Sequence, residues 1–150
     1  DAPSIRWGVA DNAALPEPDG EADGAVAGWT IGHVTGFHPD AWQAHARAAL
    51  AEMRRVVRPG GVLVVIETLG TGQDQPAPPN ERLAAFYAML EADLGFARVT
   101  IDTSYAFADA AEAERVLGFF FGERMASVVR ARGAGVIPEW TGVWSAVIGG

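Results

Sequence analysis

The chain has 150 residues, 49% apolar and 20% charged, which suits one domain with a real hydrophobic core rather than two. Its formal net charge is −8 and all 11 basic residues are arginine, so a phosphate-backbone partner, which needs a basic face, is disfavoured. The absence of cysteine excludes disulfides, thiolate metal sites and a cysteine nucleophile; with no run near the roughly 18 apolar residues of a membrane span and no secretory layout in DAPSIRWG, a cytoplasmic enzyme or binding domain is the default.

Ile5 to Ala10 (IRWGVA) reads as a short strand ended by Asp11-Asn12, and Pro16 to Gly24 (PEPDGEADG) as turn chemistry. Ala25 to Ile31 (AVAGWTI) is a second strand. HPDAW then predicts a helix start, with Pro39 at a first helical position and Asp40 near the positive helix end. Trp42, Ala46, Ala49, Leu50, Met53, Val56 and Val57 recur at three- and four-residue spacing, one apolar helix face. Arg54, Arg55 and Arg58 crowd its carbonyl end, and Pro59-Gly60-Gly61 terminates it. Val62 to Ile66 is apolar at every position, which predicts a parallel strand covered on both faces.

Thr71 to Asn80 is a polar, proline-rich loop. Leu83, Phe86, Tyr87, Leu90 and Leu94 mark a second helix, capped by Asn80 and stopped at Gly95. Ala97, Val99, Ile101 and Thr103 alternate with polar residues, as in a strand buried on one side. Asp109 with Glu112 forms a capping box for a helix ending at Gly122. ERMASVVRAR is a further helix, and Gly142 to Ile148 a closing strand. The whole is an α/β sheet protein, with a helical insertion at about 106–139 between the last two strands.

Three segments carry a resemblance. VADNAALP (Val9 to Pro16), AVAGWTIGHV (Ala25 to Val34) and EMRRVVRPGGVLVVIE (Glu52 to Glu67) together resemble the middle motifs of class I S-adenosylmethionine-dependent methyltransferases, in particular the small-molecule type 11 group. The resemblance implies a Rossmann-like sheet of order 3-2-1-4-5-7-6 with an antiparallel strand 7. Strand 3 would be Ile5–Ala10, strand 4 Ala25–Ile31, strand 5 Val62–Ile66, strand 6 Ala97–Thr103 and strand 7 Gly142–Ile148. It further implies that Asp11 accepts a hydrogen bond from the cofactor's adenine amino group, with the backbone of Asn12 and Ala13 at the adenine edge. Gly28, Trp29 and Thr30 would border the methionine part of S-adenosylmethionine.

Strands 1 and 2 are absent from this chain, and with them the glycine-rich loop and the acidic ribose contact. Gly70-Thr71-Gly72 follows the wrong strand to replace that loop. Strand 3 would then lack a neighbour, and strand 4 would be a bare apolar edge that invites pairing. The sequence therefore reads as a fragment, the carboxyl-terminal portion of a longer domain, or as a chain whose missing half a partner supplies.

Ligands of open α/β sheets sit at the carboxyl ends of the strands. Asp11, the Trp29-to-His33 segment and Glu67 fall there. Asp11 is otherwise a turn-forming residue. His33 can serve as a general base at the acceptor or pack as an ordinary loop histidine, and Glu67 can touch ligand or be a solvated strand end. His33, His38 and His45 share no metal-ligand spacing. Phe119-Phe120-Phe121 cannot all face one side of a helix, so at least one should point away from the local core. Ile137 to Trp144 is a candidate pocket wall. The expected activity is methyl transfer to a small neutral or apolar acceptor. The alternatives are a non-catalytic Rossmann-like scaffold and, less favoured without G-x-G-x-x-G, a nicotinamide oxidoreductase.

Overall fold

The computed structural model describes residues 4–149. Strand β1 (Ala22–Gly28) is followed by a tight 3₁₀ turn (Ile31–His33), the short helix α1 (Val34–Phe37) and helix α2 (Trp42–Val56). Strand β2 (Val57–Thr71) comes next, then helix α3 (Glu81–Ala88), which widens into a π turn (Met89–Asp93). Strand β3 (Ala97–Asp102), the ribbon strands β4 (Tyr105–Ala106) and β5 (Val136–Ile137) around helices α4 (Ala110–Phe121) and α5 (Glu123–Arg132), and strand β6 (Glu139–Val147) complete the chain.

The main sheet has the order β1-β2-β6-β3. β1 and β2 are parallel, and β6 runs antiparallel to both β2 and β3. In the numbering used for the sequence, these four strands run 4-5-7-6. The segment Ile5–Ala10, read as strand 3, forms no strand, and Ile5, Trp7 and Val9 stand exposed. A strand without a neighbour has no ladder to satisfy its backbone, so the β pattern of its side chains is not expressed.

Helix α2 buries Trp42, Ala46, Ala49, Leu50, Met53 and Val56, the residues its spacing singled out. It begins at Trp42 rather than Pro39, because His38 to Ala41 close a turn in which Ala41 N donates to His38 O at 3.0 Å. β2 follows without a loop. Ala22 pairs with Val57 but Gly24 with Val62, so Arg58–Gly61 bulge out of the ladder. Gly60 holds φ +80°, and a Cβ on Gly61 would lie 2.4 Å from Val57 Cγ1 and 2.7 Å from Asp23 O. Gly60 N donates to Ile148 O and Ile148 N to Gly61 O, at 2.8 and 2.9 Å. The two glycines therefore lock the start of β2 between β1 and the end of β6. One supplies a left-handed backbone and the other a close approach.

One face of the sheet is the core. Leu63, Val65, Leu69 and Trp144 are buried there in one cluster with α2 and α3, and the Tyr87 ring lies tilted against Trp144 with centroids 4.5 Å apart. Asn80 caps α3 by accepting from Leu83 N at 2.9 Å. The opposite face is apolar but uncovered. The register places Val26, Val62, Val64, Ile66, Val99, Val143 and Val147 together on it, with Val26 68% and Val99 61% exposed. β2 is thus buried on one side only, and β3 is exposed along its whole length. Continuous apolarity in β2 marks a surface that asks for cover which these residues do not supply.

Helices α4 and α5 pack with the ribbon around a separate small core of Ala113, Leu117, Val129 and Ile137. Asp109 Oδ1 accepts from Glu112 N, and Glu112 reaches back to Ala108 N, closing the capping box at 2.8 and 2.9 Å. Phe119, Phe120 and Phe121 are all exposed.

Candidate active site

The carboxyl ends of β1 and β2 meet at one corner of the sheet. As β1 ends, Trp29 adopts φ +48°, an unusual left-handed backbone for a bulky residue. Trp29 N still donates to Ile66 O at 2.8 Å, and Thr30 Oγ1 donates to Gly28 O at 2.7 Å. These two bonds turn the chain sharply into Ile31–His33. The turn points the Gly32 N–H at β2, where it donates to Glu67 Oε1 at 2.7 Å. Residue 32 must be small, because a Cβ there would fall 2.8 Å from Glu67 Oε2. Thr35 Oγ1 secures the turn by donating to Gly32 O at 2.8 Å.

Glu67 is only 4% exposed, which corrects its reading as a solvated strand end. Burial pushes its carboxyl above the usual range, opposed by the Gly32 N–H, the neighbouring His33 and the Thr30 backbone. Beneath it, Tyr87 donates its hydroxyl to Thr68 O at 2.7 Å, and burial followed by the Glu67 charge pushes that phenol up.

A second carboxyl reaches the same corner from the other face of the sheet. Glu139 opens β6 and is 6% exposed. Its Oε1 accepts from Thr68 Oγ1 at 3.0 Å, and its backbone carbonyl accepts from Thr103 N at 2.9 Å. Its Oε2 is buried without a hydrogen-bond partner among the described residues. Tyr105 lies close by, its phenol pushed up by burial and then by the Glu139 charge.

Around these groups is a cavity of about 870 Å³. Its walls include Trp29, Gly32, His33 and Phe37 from the β1 side, Glu67 and Thr68 from β2, Leu83 from α3, and Tyr105, Phe121 and Glu139 from the insertion side. His33 is exposed at this wall and stacks on Phe37, ring centroids 6.0 Å apart. Of the strand-end candidates read from sequence, Trp29, His33 and Glu67 are brought to this cavity.

Asn12 and Thr30 instead meet in a smaller cavity of about 170 Å³, with Leu15, Ala27 and Ile31. Asp11, Ala13 and Gly28 line neither cavity. Asp11 Oδ1 accepts from Ala13 N at 2.8 Å, an Asx turn that shapes the loop. That loop is held to α2 by Arg55, which donates to Leu15 O, Glu17 O and Asp19 Oδ1 at 2.9, 2.9 and 2.6 Å. Glu52 accepts from Leu15 N at 2.9 Å, and Arg55 with that bond holds its carboxyl down at about 2.

Arg55 and Glu139 are the residues sequence reading missed. Arg55 looked like a helix-end cation. Glu139 lies inside the tract read as a pocket wall, and its one visible signal is a carboxylate set between Pro138 and Trp140.

Comparison with known proteins agrees with this architecture. Residues 1–65 match the family model of a methyltransferase domain. That match takes in under half of the chain. Among individual proteins, it is 41% identical over 66 residues to the ubiquinone/menaquinone biosynthesis C-methyltransferase UbiE of Caulobacter sp. (strain K31), a match covering 44% of this chain and 23% of that protein. The counterpart from Caulobacter vibrioides is 40% identical over 65 residues, 43% of this chain and 22% of its own length. The chain thus matches under a quarter of the length of these relatives. A solved structure from Anaeromyxobacter dehalogenans, provisionally assigned as a type II methyltransferase, shares the fold with TM-score 0.57 at 16% identity, over 100% of this chain and 75% of that one. Among the described residues, no helix is long and apolar enough to cross a membrane.

Proposed function

We propose that this chain forms part of a cytoplasmic enzyme that transfers the methyl group of S-adenosylmethionine to a small-molecule acceptor. The supporting observation is the 870 Å³ cavity at the carboxyl ends of the parallel pair β1 and β2, where open α/β sheets bind ligands.

The residues present fit one side of the cofactor. Asn12, Ala27, Thr30 and Ile31 form a largely apolar slot, suited to a flat heterocycle such as adenine, beside the Asp11 loop. A Cβ at Gly28 would meet nothing within 4 Å, so the end of β1 leaves open space for the methionine portion. No glycine-rich loop or ribose-binding acid faces this corner among the described residues. The remaining cofactor contacts would come from an amino-terminal half, or from a partner chain, that pairs along the free edge of β1.

The cofactor, when bound, supplies a methyl group on an activated sulfonium. The chain's own side chains would then position the acceptor and exclude water. His33, at the cavity wall, can orient the acceptor or take up its proton, and its charge favours the ionised form of Glu67. Trp29 and Phe37 supply the apolar wall.

Titration calorimetry of the intact protein with S-adenosylmethionine tests the reading. Saturable binding that weakens in Asp11→Ala supports it. No binding at all would favour a non-catalytic scaffold, the reading to which the open apolar sheet face and free β1 edge otherwise point.

A further inference from the structure

The aromatic lining of the cavity deepens the methyltransferase reading, and calling its occupant the methyl acceptor rests on that reading. Trp29 after β1, Phe37 at the end of α1 and Phe121 at the end of α4 line one cavity from three separate segments. They are 54%, 74% and 49% exposed, so each ring still has surface to give to a ligand. Trp29 keeps its costly left-handed backbone at φ +48°, and Phe37 lies nearly parallel to His33, at an interplanar angle of 19°. Of the three consecutive phenylalanines, Phe121 lines the cavity, whereas Phe119 and Phe120 meet each other edge to face with ring centroids 5.1 Å apart.

At about 870 Å³ the cavity has the size of a small-molecule site, which pairs apolar and aromatic walls with a few polar groups. His33, Glu67 and Thr68 supply the polar groups here. An aliphatic ligand would gain from the rings only the burial of its area, whereas a flat ring gains offset-stacked and edge-on contacts as well. We infer that the acceptor carries a flat aromatic body held against Trp29, Phe37 and Phe121, with Phe121 making the inserted helices part of substrate selection. The neutral or apolar acceptor expected from composition is thereby narrowed to an aromatic one.

The experiment uses the intact protein and two neutral probes of one skeleton, 2-naphthol and its saturated counterpart decahydro-2-naphthol. Binding is measured by calorimetry in saturating S-adenosylhomocysteine, which keeps the probes out of the cofactor's place, and again without it. The naphthol should bind the more tightly in both conditions. Phe37→Leu combined with Phe121→Leu keeps the wall apolar but removes two rings. It should weaken the naphthol by about five- to a hundredfold, the worth of two aromatic contacts, and the saturated probe by less than about twofold. Phe119→Leu combined with Phe120→Leu makes the same change outside the cavity and should leave both probes unaltered. Equal binding of the two probes, or a Phe37/Phe121 variant that loses no more than this control, would overturn the assignment. So would naphthol displaced by S-adenosylhomocysteine, or no binding of either probe, which would leave the rings as a seat for another segment of protein. Naphthol binding that depends on Phe37 and Phe121, in a protein that does not bind S-adenosylhomocysteine, would uphold the aromatic wall and sink the methyltransferase reading, so the two fail separately.

Discussion

Gly32 is the position where a single methyl group tests the corner of the site. A Cβ there would stand 2.8 Å from Glu67 Oε2 and 2.9 Å from both Oε1 and Cδ. Those atoms end a flexible side chain, so in Gly32→Ala the carboxyl would swing into the cavity rather than the backbone tearing. The swing breaks the 2.7 Å bond from Gly32 N and leaves that buried N–H unpaired. A hydrogen bond to a charged group is worth about 1.5–3 kcal/mol, so a loss of about 2 kcal/mol is expected. For a domain of this size that is about 4–8 °C in Tm. Gly36→Ala is the internal control: nothing lies within 4 Å of its Cβ, and alanine should be neutral or slightly stabilising within α1. Thermal unfolding of both variants of the intact protein, followed by circular dichroism, makes the comparison. If the two melt together, the Gly32–Glu67 contact does not organise this corner. Repeating Gly32→Ala in a Glu67→Ala background should remove most of its cost, since the obstructing carboxyl is gone.

The buried Glu67 also sets a pH dependence. Its carboxyl is raised in the folded state, so its contribution favours folding fully below the ordinary carboxylate pKa and is lost as pH rises through the folded value; Glu67→Gln should flatten that part of the stability–pH curve. Glu52 acts oppositely: held at about 2 against an ordinary 4.5, it favours folding above 4.5 and loses that contribution as pH falls toward 2, and Glu52→Gln should reduce the acid sensitivity in that window. Tyr87→Phe strips the partly buried Thr68 carbonyl of its 2.7 Å partner and should cost about 0.5–1.5 kcal/mol in denaturant unfolding, with the ring contact on Trp144 retained. Arg55→Ala should leave the sheet intact but free the Leu15–Asp19 loop, seen as faster limited proteolysis there and weaker S-adenosylmethionine binding.

The elements whose signals come from repeated side-chain spacing were legible. Helix α2 buries the residues its apolar period marked, and Asn80 and Asp109 cap the helices they were read as capping. Elements that depend on a neighbour were not. Ile5–Ala10 has strand composition and no strand, since strand formation belongs to the pair and not to the segment. In β3 the alternation is present, but Val99 and Ile101 point to the uncovered face, so the pattern reports orientation without burial. RPGG read as a helix stop is also a bulge, visible only once Ala22 and Gly24 are paired with Val57 and Val62.

The site divides along the same line. Trp29 and His33 could be placed because they follow a strand, and the carboxyl ends of parallel strands are where ligands gather. Glu67 was placed at the right corner, yet its burial depends on the Gly32 turn, 35 residues away in sequence. Glu139 depends on more: a register shift in β2 between Thr68 and Thr71 brings Thr68 Oγ1 within 3.0 Å of its carboxyl. A carboxylate in a strand ordinarily marks the solvent side of a period-2 pattern. Here Glu139 is 6% exposed and lies in a cavity wall that it shares with Tyr105 and Phe121. The insertion therefore does more than add surface beside the corner where β1 and β2 end. Tyr105 and Phe121 from its side share the cavity wall with Glu139, whose carboxyl is buried on the Thr68 hydroxyl where a strand-end carboxylate would ordinarily meet solvent.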